Sequence, residues 1–216
     1  SFDVLVVGCG LAGAVAAKKA ADQGKRVAVV RGGGGATVHS SGSFDVVSDP
    51  AGRHVEAPPP LIDALRALLR RNPSHPYALA GRDPTAFQGL LEEATEDLFG
   101  DLDVEGLLCR GSLARNLWLA TPGGHVKEAA FAQDSIAAGD LIALPKARIA
   151  VVALGEEAER EAKVRALHLR RSLDSMGFFG VKEIVPCPVP SLPEAARVEP
   201  DAPTIARALD DEPACV

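Results

Sequence analysis

The three glycines of residues 8–13, which read G-C-G-L-A-G, form the pattern with the clearest chemical meaning in this chain. In a G-x-G-x-x-G turn the first glycine permits a tight turn and the second lets a phosphate approach the backbone. The third lets the following helix pack closely against a strand. That helix offers unpaired N–H groups and a partial positive charge to an anion. The residues predicted to contact a phosphate are Gly8, Gly10, Leu11, Ala12 and Gly13.

The segments around this turn have the composition of a βαβ unit. A largely apolar run over residues 2–7 precedes the turn, and strong helix formers follow it over residues 14–21. Gly24 is placed to end the helix, and residues 26–30 supply a second apolar run. In this context we expect the turn to bind a nucleotide. The alternative is a structural α/β turn that happens to be rich in glycine.

The residue after the second predicted strand bears on which nucleotide is bound. Dinucleotide-binding βαβ units usually carry an acidic residue there, which accepts hydrogen bonds from the adenosine ribose. This chain has Arg31, which cannot accept those hydrogens but can pair with a phosphate. Arg31 therefore disfavours NAD, and leaves NADP, an unusually held FAD, or a shorter flavin nucleotide such as FMN.

A second candidate segment, residues 36–48, is dense in hydroxyls and small residues before it becomes apolar. Four glycines at residues 32–35 precede it, and their backbone entropy predicts a loop. Two interpretations stay open from the residues alone. The segment is either a polar turn before a short strand, or a cofactor loop whose hydroxyls and amides beside Gly42 contact phosphate, ribityl or ring oxygens.

The composition excludes several classes of function. The chain has 216 residues, 47% of them hydrophobic, which is enough for one large or two small domains. Its net charge of −6 argues against nonspecific binding to nucleic acid. We find no apolar stretch near the roughly 18 residues needed to cross a bilayer. The four cysteines and five histidines lack metal-ligand spacing, so we expect no metal site.

Hydrophobic periodicity predicts further elements along the chain. The predicted helices cover residues 61–71, 85–99 and 156–176, and the predicted strands cover residues 104–109, 115–121, 147–155 and 180–186. The last strand–helix–strand set is a second α/β unit. Its first turn has only Gly155, followed by two glutamates that would repel a phosphate, so we expect a scaffold there. A proline-rich loop over residues 187–203 and a short helix over residues 204–209 are predicted to follow.

Several segments together resemble the B subunit of the anaerobic, membrane-associated glycerol-3-phosphate dehydrogenase. The more specific ones are S-S-G-S-F-D at residues 40–45 and H-P-Y at residues 75–77. N-L-W-L-A-T-P at residues 116–122 and I-A-R-A-L-D at residues 205–210 extend the likeness. The glycine turn itself is common to many flavoproteins. The resemblance runs over nearly the whole chain but covers only the N-terminal half or so of such a protein.

The resemblance implies a flavin-binding component that works with a catalytic A subunit, itself a flavoprotein, and an iron–sulfur C subunit. Such a complex oxidises sn-glycerol 3-phosphate to dihydroxyacetone phosphate and passes electrons to the quinone pool. The resemblance also implies FMN as the cofactor, with FAD as the alternative. It implies a cytoplasmic location, at the inner membrane through a partner protein. Ser40, Ser41 and Gly42 then become favoured flavin contacts, whereas His39 and His75 are weak candidates for a catalytic base.

The resulting fold prediction is α/β: a Rossmann-like, three-layer FAD- or NAD(P)-binding domain with a second α/β unit, incomplete at its C-terminus. Residues 1–60 form the nucleotide-binding βαβ segment, residues 61–145 a helical and short-strand segment, and residues 146–216 the second unit with its tail. Flavoproteins of the resembled kind close their nucleotide domain with a distant C-terminal segment. We therefore expect an open pocket, weak flavin binding, self-association through uncovered apolar surface, and no activity of the isolated chain.

Two other functions compete with this prediction. An NADP-dependent reductase would use Arg31 to hold the 2′-phosphate, but no Tyr-x-x-x-Lys pair is present because the residue four positions after Tyr77 is Gly81. A nucleotide-binding scaffold protein would carry no chemistry of its own. A visible spectrum separates these functions, because oxidised flavin absorbs there and NADP does not.

Overall fold

The computed structural model describes residues 1–33, 35–48, 59–80, 83–104, 106–155 and 157–189. Within these ranges the chain is an α/β protein, as predicted. Two parallel strand pairs, one near each end, flank a middle part made of helices and antiparallel strands. The second candidate segment contributes a strand to the middle part, so the elements that surround the predicted site come from distant parts of the sequence.

The N-terminal elements form the predicted βαβ unit. β1 (Val4–Val7) and β2 (Val27–Val30) are parallel, with Val4 opposite Val27, and α1 (Leu11–Asp22) connects them. The ladder continues into the glycine turn, because the Gly8 amide donates to the Val30 carbonyl at 2.8 Å. α1 begins at Leu11, three residues earlier than the run of helix formers suggests, since Gly10 already serves as its N-cap.

Three helices follow the second candidate segment, which contains the short strand β3 (Ser43–Phe44). α2 (Leu61–Arg71) has the predicted bounds. α3 (Pro76–Ala80) occupies part of the H-P-Y segment, which was expected to be a loop; Pro76 suits a first helical position. α4 (Pro84–Val104) is longer than predicted, so residue 104 ends a helix and does not begin a strand.

Two antiparallel sheets contain the strands that follow α4, and one of them also contains β3. Some of these strands were not predicted from the sequence. β4 (Cys109–Gly111) and β3 both pair with β7 (Phe131–Gln133), giving the order β3-β7-β4. β5 (Leu117–Ala120) pairs with β6 (Val126–Ala129). A short helix, α5 (Asp134–Ala137), follows β7. β6 and β7 were missed because strands of four and three residues are too short to show alternation.

The second α/β unit is also present. β8 (Arg148–Leu154) and β9 (Glu183–Val189) are parallel over seven residue pairs, and α6 (Ala158–Ser175) connects them. β9 ends three residues later than predicted, because Pro186 does not end the strand. Pro186 and Pro188 stand two residues apart, so their missing N–H groups face the same side of the strand. The prolines can therefore be accommodated at a sheet edge.

The principal apolar cluster, made of large buried side chains, lies between the β5–β6 hairpin and the second α/β unit. It contains Trp118, Leu141, Leu169, Leu173 and Val181. The first βαβ unit differs, because α1 has no buried residue. One face of its sheet is open, with Leu5 at 62% and Val7 at 81% exposure.

Candidate functional site

The glycine turn has the geometry that its spacing predicts. Gly8 has φ +103°, a conformation that L side chains rarely adopt. A Cβ on Gly13 would lie 2.2 Å from the Gly8 carbonyl oxygen, so the close approach of helix and strand requires glycine there. The first turn of α1 contains no acidic residue, which leaves its N–H groups and positive dipole end available to an anion.

Thr37 is a site residue that the sequence did not single out. It lies in a 3₁₀ turn, Ala36–His39, and its Oγ1 accepts a hydrogen bond from the Leu11 amide at 2.9 Å. Gly35 brings this turn close, because a Cβ built on Gly35 would lie 3.1 Å from the Gly10 Cα. The Leu11 N–H, predicted to bind a phosphate, therefore already points at an oxygen atom. The dense hydroxyls of residues 36–43 were the available signal.

Arg31 follows β2 directly and its side chain is exposed. The hydrogen bond from the Gly8 amide to the Val30 carbonyl places the start of the glycine turn beside the residue that precedes Arg31. The structure thus brings Arg31 to the same end of the β1–β2 sheet as residues 8–13. A guanidinium at this position can reach an anion bound there or remain in solvent.

Residues 40–44 form an ordered turn and strand. The Ser40 Oγ accepts the Gly42 amide at 3.2 Å, and the Gln133 amide donates to the Gly42 carbonyl at 2.8 Å. Gly42 has φ +72°, and a Cβ there would lie 2.8 Å from the side chain of Ile136. Gly42 is therefore required for both backbone conformation and space. Ser40 and Ser41 are exposed, so their hydroxyls are available to a ligand.

The two candidate segments meet through Thr37. Ser40 comes three positions after Thr37, which limits the distance between their Cα atoms to about 11 Å. Because Thr37 contacts the first residue of α1, Ser40 lies within this reach of the glycine turn. The structure therefore brings Ser40 to the end of the first βαβ unit that carries the glycine turn.

Two motifs that carried the resemblance fix the chain just beyond this turn. The Tyr77 hydroxyl donates to the Val46 carbonyl at 2.8 Å, and the Asn116 Nδ2 donates to the Val47 carbonyl at 2.8 Å. His75 supports this arrangement, because its Nδ1 accepts the Tyr77 amide at 3.2 Å. The H-P-Y and N-L-W segments therefore have a structural role: they hold the two residues that follow the S-S-G-S-F-D segment. Of the other candidate base, His39, the side chain lies outside the described residues.

Lys127 is a second residue that the sequence did not single out. It lies on β6, and its Nζ is 2.8 Å from the Ser43 Oγ and 2.9 Å from a carboxylate oxygen of Asp45. The Lys127 ammonium group therefore contacts the turn formed by residues 40–44, which we call the serine turn. No signal in the sequence could have found it, because 84 positions separate Lys127 from Ser43.

The described parts of the chain contain no group of His, Cys, Asp and Glu side chains able to hold a metal ion. They also contain no helix that combines the length and the apolar character of a membrane span. An apolar cleft of about 230 Å³ lies between α1 and α4. The ion pair of Lys18 with Asp101, and that of Lys19 with Asp97, close its rim.

A comparison with protein families matches residues 3–182 to the FAD binding domain. The chain belongs to this family. The matched range extends over the first βαβ unit, the middle sheets, and α6 with the loop after it. The Rossmann-like α/β prediction is therefore confirmed by the family, and the mixture of helices and strands agrees with it.

Curated relatives are similar over shorter stretches. The B subunit of the anaerobic glycerol-3-phosphate dehydrogenase of Pectobacterium carotovorum is 36% identical over 132 residues, or 58% of this chain and 28% of that relative. The corresponding protein of Yersinia pseudotuberculosis is 37% identical over 155 residues, or 71% of this chain and 35% of the relative. The resemblance to these proteins is confirmed, and the matches span about a third of the relatives' length. No solved structure matches.

Membership of the FAD binding domain family supports a flavin as the cofactor, and it favours FAD. The expected first choice, FMN, has no support from this comparison. That expectation rested on what the resemblance implies, and Arg31 in place of the ribose-binding acid was consistent with it. A dinucleotide can be held through its phosphates and flavin end, so the missing carboxylate does not exclude an adenosine.

Proposed function

We propose that this chain binds FAD at the end of its first βαβ unit and serves as a flavoprotein part of an oxidoreductase. The proposed contacts are Gly8, Gly10, Leu11, Ala12, Gly13, Arg31, Ser40, Ser41 and Gly42, with Thr37 added. The observation that supports it best is the geometry of the glycine turn, in which Gly8 has φ +103° and a Cβ on Gly13 would lie 2.2 Å from the Gly8 carbonyl oxygen. This geometry brings the positive end of α1 close to the end of β1, as phosphate binding requires.

The residues present fit a flavin dinucleotide. The first turn of α1 offers N–H donors to a phosphate, and Arg31 offers a cation to the same anion. The exposed hydroxyls of Ser40 and Ser41 offer donors and acceptors for the ribityl chain or ring. When bound, the flavin would take up and pass on electrons. The protein's part is to hold it and to position donors against it.

The reaction that we propose is the oxidation of sn-glycerol 3-phosphate to dihydroxyacetone phosphate, with electrons passed to a quinone. This proposal rests on the relatives named as B subunits of anaerobic glycerol-3-phosphate dehydrogenase. We further propose a catalytic A subunit and an iron–sulfur C subunit as partners, at the cytoplasmic face of the inner membrane. The chain alone is expected to be inactive, because the proposed catalytic A subunit and iron–sulfur C subunit are then missing.

The deciding experiment is a titration of the purified apo-protein with FAD, FMN, NADP and NAD, followed by flavin fluorescence or protein fluorescence. We expect FAD to bind more tightly than FMN, and both flavins more tightly than NAD. Tighter binding of NADP than of either flavin would support the reductase alternative and reject this proposal. A flavin that binds but is not reduced by sn-glycerol 3-phosphate in the presence of the proposed A and C subunits would support the scaffold alternative.

A matched pair of variants locates the site. In Gly10→Val the side chain is placed against the Thr37 hydroxyl, because a Cβ there lies 3.5 Å from the Thr37 Oγ1. We expect this variant to lose flavin binding. Gly89→Val is the control, because Gly89 lies on α4 where an added Cβ meets nothing within 4 Å. Full flavin occupancy in Gly10→Val would show that the glycine turn is not the phosphate site.

A further inference from the structure

A line of three polar side chains connects β6 to the exposed serine turn. The Lys127 Nζ lies 2.8 Å from the Ser43 Oγ, and the Ser43 Oγ lies 2.9 Å from the Ser41 Oγ. Lys127 and Ser43 are partly buried, whereas Ser41 is exposed. The line therefore runs from two partly buried side chains to an exposed one, on the surface where the flavin is proposed to bind.

The ammonium group sets the direction of the first of these hydrogen bonds. A lysine ammonium has donors and no acceptor, so the Ser43 Oγ must accept the bond from Lys127. Ser43 then still has its own hydroxyl hydrogen, and the Ser41 Oγ is in position to accept it. A hydroxyl has one hydrogen and two acceptor lone pairs, so Ser43 can accept from Lys127 while it donates to Ser41. In that arrangement Ser41 keeps its own hydrogen for a group outside the protein.

We propose that Lys127 is a positioning residue that acts through Ser43 to orient and polarise the Ser41 hydroxyl as a hydrogen-bond donor to the bound flavin. This inference rests on the proposed flavin site. The flavin ring and ribityl chain carry nitrogen and oxygen acceptors that fit such a donor. A donor beside ring atoms that gain negative charge on reduction stabilises the reduced flavin more than the oxidised one. We call Lys127, Ser43 and Ser41 the relay. It should raise both the reduction potential of the bound flavin and the affinity of the protein for the flavin.

The ion pair with Asp45 does not by itself explain the place of Lys127. The Asp45 side chain is 56% exposed, and ion pairs of this kind contribute little to stability. The hydrogen bond to Ser43 is different, since a charged donor strengthens the bond and polarises the hydroxyls beyond it. The Asp45 carboxylate is the second acceptor of the Lys127 ammonium group, so the Nζ has two fixed acceptors and a defined position.

The test compares Lys127→Met, Lys127→Arg and Ser43→Ala with the unmodified chain, by FAD titration and by the midpoint potential of the bound flavin. We expect Lys127→Met and Ser43→Ala each to weaken FAD binding by about three- to tenfold and to lower the potential. Lys127→Arg should recover most of both, because a guanidinium also donates to Ser43. Lys163→Met is the control, since Lys163 forms a 2.6 Å ion pair with Glu159 on α6, away from the turn.

Thermal unfolding of each variant without flavin separates a folding defect from an effect on the site. Wild-type affinity and potential in a folded Lys127→Met variant would overturn the inference. A defect in Lys127→Met with none in Ser43→Ala would overturn the relay, because Lys127 would then act without Ser43. Failure of the unmodified chain to bind any flavin would instead reject the proposed function, and this inference with it.

Discussion

Thr37 adds a side-chain hydroxyl to the proposed phosphate site, which the glycine pattern alone did not predict. Its hydroxyl satisfies the Leu11 N–H, one of the donors that the first turn of a helix leaves without an intrahelical partner. A hydroxyl can also donate, so Thr37 is able to turn its hydrogen toward a phosphate that takes over the Leu11 amide. Both arrangements require an oxygen at this position.

Replacing Thr37 by Val should weaken FAD binding by about tenfold, because a hydrogen bond to a charged phosphate is lost from a site of similar shape. Thr37→Ser keeps the hydroxyl and should bind FAD with an affinity close to that of the unmodified chain. Fluorescence titration of the two variants measures the difference. Equal affinities would show that the hydroxyl of residue 37 does not contact the cofactor.

At the scale of elements, Asp140 connects β5 to the chain beyond α5. Its side chain is 3% exposed and accepts three hydrogen bonds, from the amides of Trp118 and Ile142 and from the Arg115 Nη2. Trp118 belongs to the principal apolar cluster, so this carboxylate fixes the strand that carries it. This acceptor is costly to remove because the amide of the buried Trp118 is then left without a partner.

Asp140→Ala should lower the free energy of unfolding by about 2 to 4 kcal/mol, since two amides and a guanidinium lose their acceptor. Urea denaturation measures this loss. Asp174→Ala, at an exposed position on α6, should change stability by no more than about 0.5 kcal/mol. A loss at Asp140 as small as that at Asp174 would show that water replaces the carboxylate.

The two strands of the first βαβ unit are joined at their start by Asp3 and Arg26. The Arg26 Nη2 lies 3.0 Å from the Asp3 Oδ1, and the Arg26 amide also donates to the Asp3 carboxylate. Hydrogen bonds from the side chain and then from the backbone of Arg26 hold the pKa of Asp3 below its ordinary value of 3.8. A carboxyl with a lowered pKa in the folded state stabilises the fold above its unfolded pKa.

Asp3→Asn should therefore melt at a lower temperature than the unmodified chain at pH 7. The difference in melting temperature between the two chains should narrow as the pH falls below 3.8, the ordinary pKa of an aspartate. Asp3 then becomes protonated in both the folded and the unfolded state. Thermal unfolding at a series of pH values measures this. Asp103→Asn, an exposed carboxylate on α4, controls for the loss of one charge. A constant difference at every pH would show that the charge of Asp3 is not involved.

At the scale of the whole molecule, the first βαβ unit is covered much less than the second. Leu5, Val7 and Val30 are all more than half exposed, and Val7 pairs with Val30 on β1 and β2. Parallel sheets are normally covered on both faces, so an open apolar face is unusual for strands of this kind. Such a face drives association when nothing else covers it.

We expect the purified 216-residue chain to self-associate at micromolar concentration, and Leu5→Lys to reduce that association. A charge on the open face opposes burial against any second apolar surface. Size-exclusion chromatography with light scattering measures the masses. Phe179→Lys is the control, because Phe179 is 81% exposed but lies between α6 and β9. A monomeric unmodified chain, or an equal effect of both variants, would contradict this use of the β1–β2 face.

The amino-acid sequence by itself determined the βαβ unit, the glycine turn and the bounds of α2. These features depend on residues close together in the chain, where glycine spacing and apolar periodicity act directly on the backbone. Longer elements such as α6 and β8 were also predicted to within a few residues. The extension of α4 and the short strands β6 and β7 were not, because packing against other elements overrides weak local preference.

Only the tertiary structure decided how the candidate site is held together. The contact of Leu11 with Thr37 spans 26 positions, that of Asn116 with Val47 spans 69, and that of Lys127 with Ser43 spans 84. The residue types do not predict such contacts, because the two side chains come together only after the intervening strands and helices have packed. The sequence could therefore identify the serine turn as a candidate, whereas the cation behind it required the fold.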